Sequence, residues 1–160
     1  MNLKKGIGLT TGLVALDQMI KWVIYRYFMD VEIKWLGDRV YFSPGFNKDI
    51  SWISSKTGIN FGVEVHICIS IIAVIILILL GKQYFNKYAK MKYMVWAYWI
   101  TLAGVICSAI DRIFWGTSLD YIFIKGYFVF DLKDVLINGM YVLGIGAIIQ
   151  DVKDSEVKKV

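Results

Sequence analysis

Long uncharged apolar runs alternate with charged segments along this chain, and the alternation predicts four membrane-spanning helices. A helix needs about 20 mainly apolar residues to cross roughly 30 Å of hydrocarbon. The first run is interrupted by Asp17 and Lys21, which lie four residues apart on one helical face and can form an ion pair. The predicted spans cover residues 6–26, 63–80, 93–112 and 134–150.

The segment between the first two spans, residues 29–62, has a different pattern. Apolar and polar residues partly alternate from Val31 to Phe42 around Gly37-Asp38, which predicts a short hairpin. Without a repeat or a second apolar core, we expect one domain over residues 1–160. The predicted fold class is an all-α integral membrane protein, a four-helix bundle with a small extracytoplasmic element resembling a β-hairpin.

Composition and charge agree with a membrane protein. Hydrophobic residues make up 58% of the chain, more than a soluble domain carries. By the positive-inside rule, the lysine distribution places both termini and residues 81–92 in the cytoplasm. This topology explains the net charge of +5, so nucleic-acid binding is not required. The lysines concerned are Lys4, Lys5, Lys82, Lys87, Lys90, Lys92, Lys153, Lys158 and Lys159.

Two aspartates at span ends are the candidate catalytic groups. Asp111 closes the third apolar run and Asp134 opens the fourth, so antiparallel spans bring both to the same membrane face. Carboxylates at such depth are costly and usually functional. A close pair shares one proton, so one member can act as a base while the other acts as an acid. The pattern indicates acid–base chemistry at the lipid boundary.

Metal chemistry has little support in the sequence. His66 is the single histidine, and Cys68 and Cys107 lie inside apolar runs without metal-ligand spacing. We expect the cysteines to be packing residues. No metal or other cofactor is predicted.

Four short motifs along the chain resemble those of one protein family. Residues 17–21 (DQMIK) resemble the family's Asp-Gln-x-x-Lys, and residues 107–112 (CSAIDR) resemble its Gly-Asn-x-x-Asp-Arg. Residues 119–121 (LDY) resemble its Val-Asp-Phe, and residues 130–134 (FDLKD) its Phe-Asn-x-Ala-Asp. The family that these motifs resemble is signal peptidase II, the lipoprotein signal peptidase, and their order and spacing extend the resemblance over nearly the whole chain.

The resemblance implies an aspartic endopeptidase of the bacterial cytoplasmic membrane. Such an enzyme removes the signal peptide from lipid-modified prolipoproteins, cutting N-terminal to the diacylglyceryl cysteine. Its partners are therefore prolipoprotein substrates and membrane lipid. Asp111 and Asp134 are assigned the catalytic roles, and supporting or substrate-binding roles fall to Asp17, Lys21, Lys56, Gly58, Ser108, Arg112, Asp120 and Asp131.

The chain also departs from the family pattern. Lys56, Ser108 and Asp131 stand where the family has asparagine, and Lys133 stands where it has alanine. A third carboxylate beside Asp134 raises the proton affinity of the pair unless Lys133 or Lys56 offsets it. We expect partial compensation.

Other functions remain open at this point. A relative that has lost peptidase activity could keep the fold and bind lipopeptides or a membrane partner. An ion carrier using Asp17, Asp111 and Asp134 is less favoured, because no internal repeat or broken-helix pair is present. Structural roles are the alternatives for Arg112 and Asp120, as an interfacial cation and a loop cap.

Overall fold

Four long helices form most of the structure, a computed structural model that describes residues 2–47, 62–88 and 91–157, with side chains as far as residue 149. All four are long and apolar enough to cross a membrane, which confirms the prediction of four spanning helices. Each begins or ends beyond its apolar run, and the flanking lysine and glutamate residues are good helix formers. The helices are α1 (Leu3–Tyr27), α2 (Val63–Tyr88), α3 (Lys92–Trp115) and α4 (Leu132–Val157).

The predicted hairpin is part of a larger sheet. Four antiparallel strands pair in chain order: β1 (Ile33–Leu36), β2 (Val40–Asn47), β3 (Ser118–Ile124) and β4 (Phe128–Phe130). The β1–β2 hairpin is confirmed, with Ile33 opposite Phe42. The β3–β4 hairpin was not predicted, although its run of aromatic and aliphatic residues around Gly126 is a strand signal.

The pairing of β2 with β3 joins two distant parts of the chain. It runs from Val40 opposite Ile124 to Asn47 opposite Ser118, and a register shift lies between Phe42 and Gly45. The sheet therefore links the end of α1 to the segment between α3 and α4. This link determines where β3 presents its polar side chains.

Helix α3 is the centre of the bundle. Of its most apolar stretch, 56% is buried, against 11% for α2. Its residues Val95, Tyr98, Trp99 and Leu102 form an apolar cluster. By contrast, α2 leaves most of its isoleucine and leucine side chains exposed, as a lipid-facing helix does.

Helices α3 and α4 touch backbone to backbone at Gly104. A Cβ atom at this position would lie 2.8 Å from the backbone nitrogen of Ile137 and 2.9 Å from the carbonyl oxygen of Lys133. Only glycine allows this approach. It fixes the first turns of α4 against α3.

Candidate active site

Five aspartates and two lysines meet where α1, α3, β3 and the start of α4 converge. Burying this many charges is costly unless they are paired. All except Asp134 are buried. The members are Asp17, Asp111, Asp120, Asp131, Asp134, Lys21 and Lys133.

Lys21 binds three carboxylates in the interior of the bundle. Its Nζ atom lies 2.8 Å from Asp17 Oδ2, 2.6 Å from Asp111 Oδ2 and 2.7 Å from Asp131 Oδ2. Gln18 donates hydrogen bonds to Asp17 and to Asp111, both at 3.0 Å. The Asp17–Lys21 pair expected from helical spacing is therefore present. It forms one end of a network that crosses from α1 to α3 and α4.

Lys133 is the second cation of the cluster, and it was not among the predicted site residues. Its ammonium group donates a hydrogen bond to Ser118 Oγ at 2.6 Å. The only signal in the sequence was its departure from the family's alanine. Its Nζ lies 2.9 Å from Asp131 Oδ2, 3.2 Å from Asp120 Oδ1, 3.5 Å from Asp134 Oδ2 and 3.8 Å from Asp111 Oδ2.

Asp120 is held by both central strands of the sheet. Ser118 donates to its Oδ1 at 2.6 Å, and Asn47 Nδ2 donates to its Oδ2 at 2.7 Å. Thr117 Oγ1 in turn donates to the carbonyl oxygen of Asn47 at 2.6 Å. Asn47 was not predicted as a site residue, because it precedes Asp120 by 73 positions and no local pattern links them.

Asp131 and Asp134 cap the start of α4 reciprocally. The Asp134 N–H donates to Asp131 Oδ1 and the Asp131 N–H donates to Asp134 Oδ2, both at 3.2 Å. This is the geometry of a capping box, and aspartate caps a helix as well as asparagine does. Burial raises the pKa of Asp131, but the ammonium groups of Lys133 and Lys21 lower it more, so it lies below its ordinary value.

A cavity of about 1210 Å³ opens beside the cluster. Asp120 and Asp134 line it, whereas Asp17, Asp111 and Asp131 do not. Apolar side chains of β3, β4 and α4 cover much of the remaining wall, among them Phe123, Ile124, Val135, Ile137, Val142 and Leu143. The cavity thus offers a polar end and an apolar end to one bound molecule.

The predicted pair of Asp111 and Asp134 is linked through a cation. Both carboxylates contact Lys133 Nζ, at 3.8 Å and 3.5 Å. The Asp111 side chain is fully buried, while that of Asp134 is 36% exposed. Asp120 and Asp134 are neighbours at the cavity. One carboxylate oxygen of each lies within 4.8 Å of the other, and both residues line the cavity wall.

The remaining predicted residues divide between the cavity and the part of the chain outside the described residues. Ser108 and Arg112 both line the cavity. Arg112 Nη1 is buried and has no hydrogen-bond acceptor among the described residues. Lys56 and Gly58 lie outside the described residues.

Three carboxylates at this site are close enough to surround a cation. They belong to Asp120, Asp131 and Asp134. Lys133 Nζ already contacts all three, at 3.2, 2.9 and 3.5 Å. The protein's own ammonium group therefore takes the position that a metal ion would need.

Comparison with known proteins agrees with this architecture. Residues 9–151 match the family model described as signal peptidase (SPase) II. The chain belongs to the signal peptidase II family. The resemblance predicted from four motifs is thereby confirmed. No curated protein sequence matches the chain.

Two solved structures share the signal peptidase II member's fold. One is a bacterial membrane enzyme determined by the in meso method at 2.3 Å resolution, with a TM-score of 0.73 and 22% identity over 95% of this chain and 92% of that one. Another bacterial membrane enzyme, determined by the same method at 1.9 Å, gives 0.74 and 20% identity over 93% and 95%. At these identities the likeness concerns the fold.

Three of the positions at which the sequence was expected to depart from the family motifs lie at the site. Ser108 lines the cavity, Asp131 caps α4, and Lys133 contacts four carboxylates. These three side chains therefore contribute to the charge and hydrogen bonding around the candidate catalytic groups.

Proposed function

We propose that the protein is an aspartic endopeptidase of the bacterial cytoplasmic membrane that removes signal peptides from lipid-modified prolipoproteins. Cleavage falls N-terminal to the diacylglyceryl cysteine. Family membership supports this role. The observation that carries it is the pair of carboxylates, Asp120 and Asp134, that faces one cavity near the ends of apolar helices.

The geometry favours Asp120 over Asp111 as the partner of Asp134. Asp111 has its oxygens occupied by Lys21 and Gln18 and has no surface in the cavity. Asp120 lines the cavity and is held in place by Ser118 and Asn47. We therefore propose Asp120 and Asp134 as the groups that touch the substrate, with Asp111 as a buried support. The catalytic role that the resemblance implies for Asp111 stays an untested prediction, and the experiment below compares the two assignments.

The proposed reaction uses the two carboxylates in different protonation states. Two nearby carboxylates do not ionise independently, so one proton is shared between them. The ionised member takes a proton from water, which attacks the scissile carbonyl carbon. The protonated member polarises the carbonyl oxygen and then gives a proton to the departing amine nitrogen. This division of roles requires no cofactor.

The cavity walls suit a lipid-modified substrate. Its polar end can hold the scissile peptide beside Arg112, whose guanidinium group is a hydrogen-bond donor for a backbone carbonyl. The apolar wall on α4, including Val142 and Leu143, continues along a helix with many exposed apolar side chains. Acyl chains attached to the cysteine can therefore extend into the bilayer while the peptide bond stays at the carboxylates.

Cleavage of a lipidated prolipoprotein peptide by the purified protein in lipid tests this function. We expect Asp120→Asn and Asp134→Asn each to lower the cleavage rate by at least about 10²-fold, because an amide cannot take up the proton. Asp111→Asn should reduce activity less and lower thermal stability. Asp38→Asn is the matched control, since Asp38 is exposed in the β1–β2 turn.

Two results would contradict the proposal in different ways. Full activity in Asp120→Asn with none in Asp111→Asn returns the catalytic role to Asp111. If the wild type binds the lipidated peptide without cleaving it, the protein is a binding relative that has lost activity. The position of Lys133 between Asp120 and Asp134 is the observation that favours this second reading.

A further inference from the structure

Two of the residues that depart from the family motif contact each other inside the site. Asp131 Oδ2 and Lys133 Nζ are 2.9 Å apart, and both side chains are buried. The resemblance gives asparagine and alanine at these positions, so one change adds a negative charge and the other adds a positive one. Together they leave the formal charge of the site unchanged.

We propose that Lys133 is a positioning residue whose ammonium group, balanced by Asp131, sets the charge between Asp120 and Asp134. The proposal rests on the proposed function, because those two carboxylates are its catalytic pair. Lys133 Nζ lies 3.2 Å from one and 3.5 Å from the other. Asp131 contacts the same ammonium group from outside the cavity.

The contacts of Asp131 explain why it is the balancing partner. Its Oδ2 atom touches both Lys21 and Lys133, while its Oδ1 atom caps Asp134. A lysine added without Asp131 would leave one more positive charge in a buried cluster. An aspartate added without Lys133 would leave one more carboxylate beside the catalytic pair. Either substitution alone would therefore destabilise the buried cluster, whereas the two together keep its charge balanced.

The contact between Lys133 and Ser118 has another possible meaning, a serine–lysine nucleophile. That chemistry needs a neutral amine that accepts a proton from the hydroxyl. Here four carboxylates surround Lys133 and hold it as ammonium. The Ser118 hydroxyl donates instead to Asp120 Oδ1 at 2.6 Å. Lys133 therefore orients Ser118, and Ser118 orients Asp120.

The pH dependence of cleavage tests this charge balance. Lys133→Ala removes a cation beside two carboxylates, so the acidic midpoint of the pH–rate profile should rise by about one to three pH units. Asp131→Asn removes a neighbouring negative charge and should move the midpoint the other way. The double variant should return near the wild-type midpoint. The other charged groups around the pair are Asp111, Arg112 and, through Asp131, Lys21.

Two controls separate charge from shape. Lys133→Arg keeps the positive charge and should hold the midpoint near that of the wild type, even if kcat falls. Lys125→Ala removes an exposed lysine from the β3–β4 turn and should change neither midpoint nor rate. An unchanged profile in Lys133→Ala, or a midpoint in the double variant that equals that of Lys133→Ala, overturns the proposal.

Thermal unfolding gives a second test that does not depend on activity. It compares the wild type with Lys133→Ala, Asp131→Asn and the double variant. Each single variant should lower Tm, and the double variant should lose less than the sum of the two, because the partners are in contact. Asp131 has a lowered pKa, so its charge stabilises the fold above about pH 4, and this stabilisation disappears as pH falls further. The loss of stability that comes from protonating Asp131 at acidic pH should be absent in Asp131→Asn.

The two measurements distinguish the failures. If the wild type never cleaves but the Tm values are non-additive, the proposed function is wrong and the coupling between Lys133 and Asp131 is supported. Strictly additive Tm values with normal cleavage contradict the proposed charge balance between Lys133 and Asp131 and leave the proposed function standing.

Discussion

Single side chains at this site carry charges that water normally solvates. Lys21 and Lys133 replace that water, each contacting at least three carboxylates. Lys21 connects helices and lies away from the cavity, whereas Lys133 lines it. The two lysines therefore have different positions: one holds α1 to α3, and the other lines the cavity.

The position of Lys133 leads to a prediction about metals. Because its ammonium group already contacts Asp120, Asp131 and Asp134, a divalent cation should have no place among them. Treatment with EDTA should leave both the cleavage rate and Tm unchanged, and added Mn²⁺ should not raise either. A loss with EDTA that Mn²⁺ restores would show that the lysine leaves this position.

The elements of the bundle position these side chains through few contacts. Helix α4 carries Asp134 and Lys133 in its first turn, where the cap by Asp131 fixes its start. At Gly104 the backbone of α3 touches the backbone of α4. The carboxylates of α4 therefore move with any change in this helix contact.

A methyl group at Gly104 should separate the two helices. The new Cβ would lie 2.8 Å from Ile137 N and 2.9 Å from Lys133 O, and backbone atoms cannot turn aside as a flexible side chain can. Gly104→Ala should cost about 1–3 kcal/mol of stability and lower cleavage. Gly144→Ala is the matched control in α4, since nothing lies near its Cβ position. Equal Tm values for the two variants would contradict this packing.

Across the whole molecule, the sequence predicted what depends on neighbouring residues. The four spans follow from local hydropathy, and the Asp17–Lys21 pair from helical spacing. The Asn47–Asp120 bond joins residues 73 apart, so only the paired β2 and β3 strands reveal it. Lys133 was visible as an unusual residue, but a sequence does not show which way a side chain points. The proposal of Asp120 instead of Asp111 as the partner of Asp134 rests on which side chain lines the cavity, and the sequence does not show that either.

The orientation of the molecule in the membrane is a prediction from its lysines. A single cysteine at Lys87 should be unreactive to an impermeant reagent applied outside, while one at Asp38 should react, in a background with Cys68 and Cys107 replaced by alanine. Both native positions are exposed, so access to the reagent depends on the side of the membrane alone. Labelling at Lys87 with none at Asp38 would reverse the topology.

The ion pair within α1 has a consequence for synthesis. The ribosome completes this helix long before Asp111, which follows Lys21 by 90 residues, has been made. A lone lysine or aspartate would hinder transfer of the nascent helix into lipid. Asp17 and Lys21 are four residues apart and bond within the helix itself at 2.8 Å, so we expect α1 to enter the bilayer with these two charges already paired. Lys21 then gains its other two partners, Asp111 and Asp131, when the later helices pack against α1.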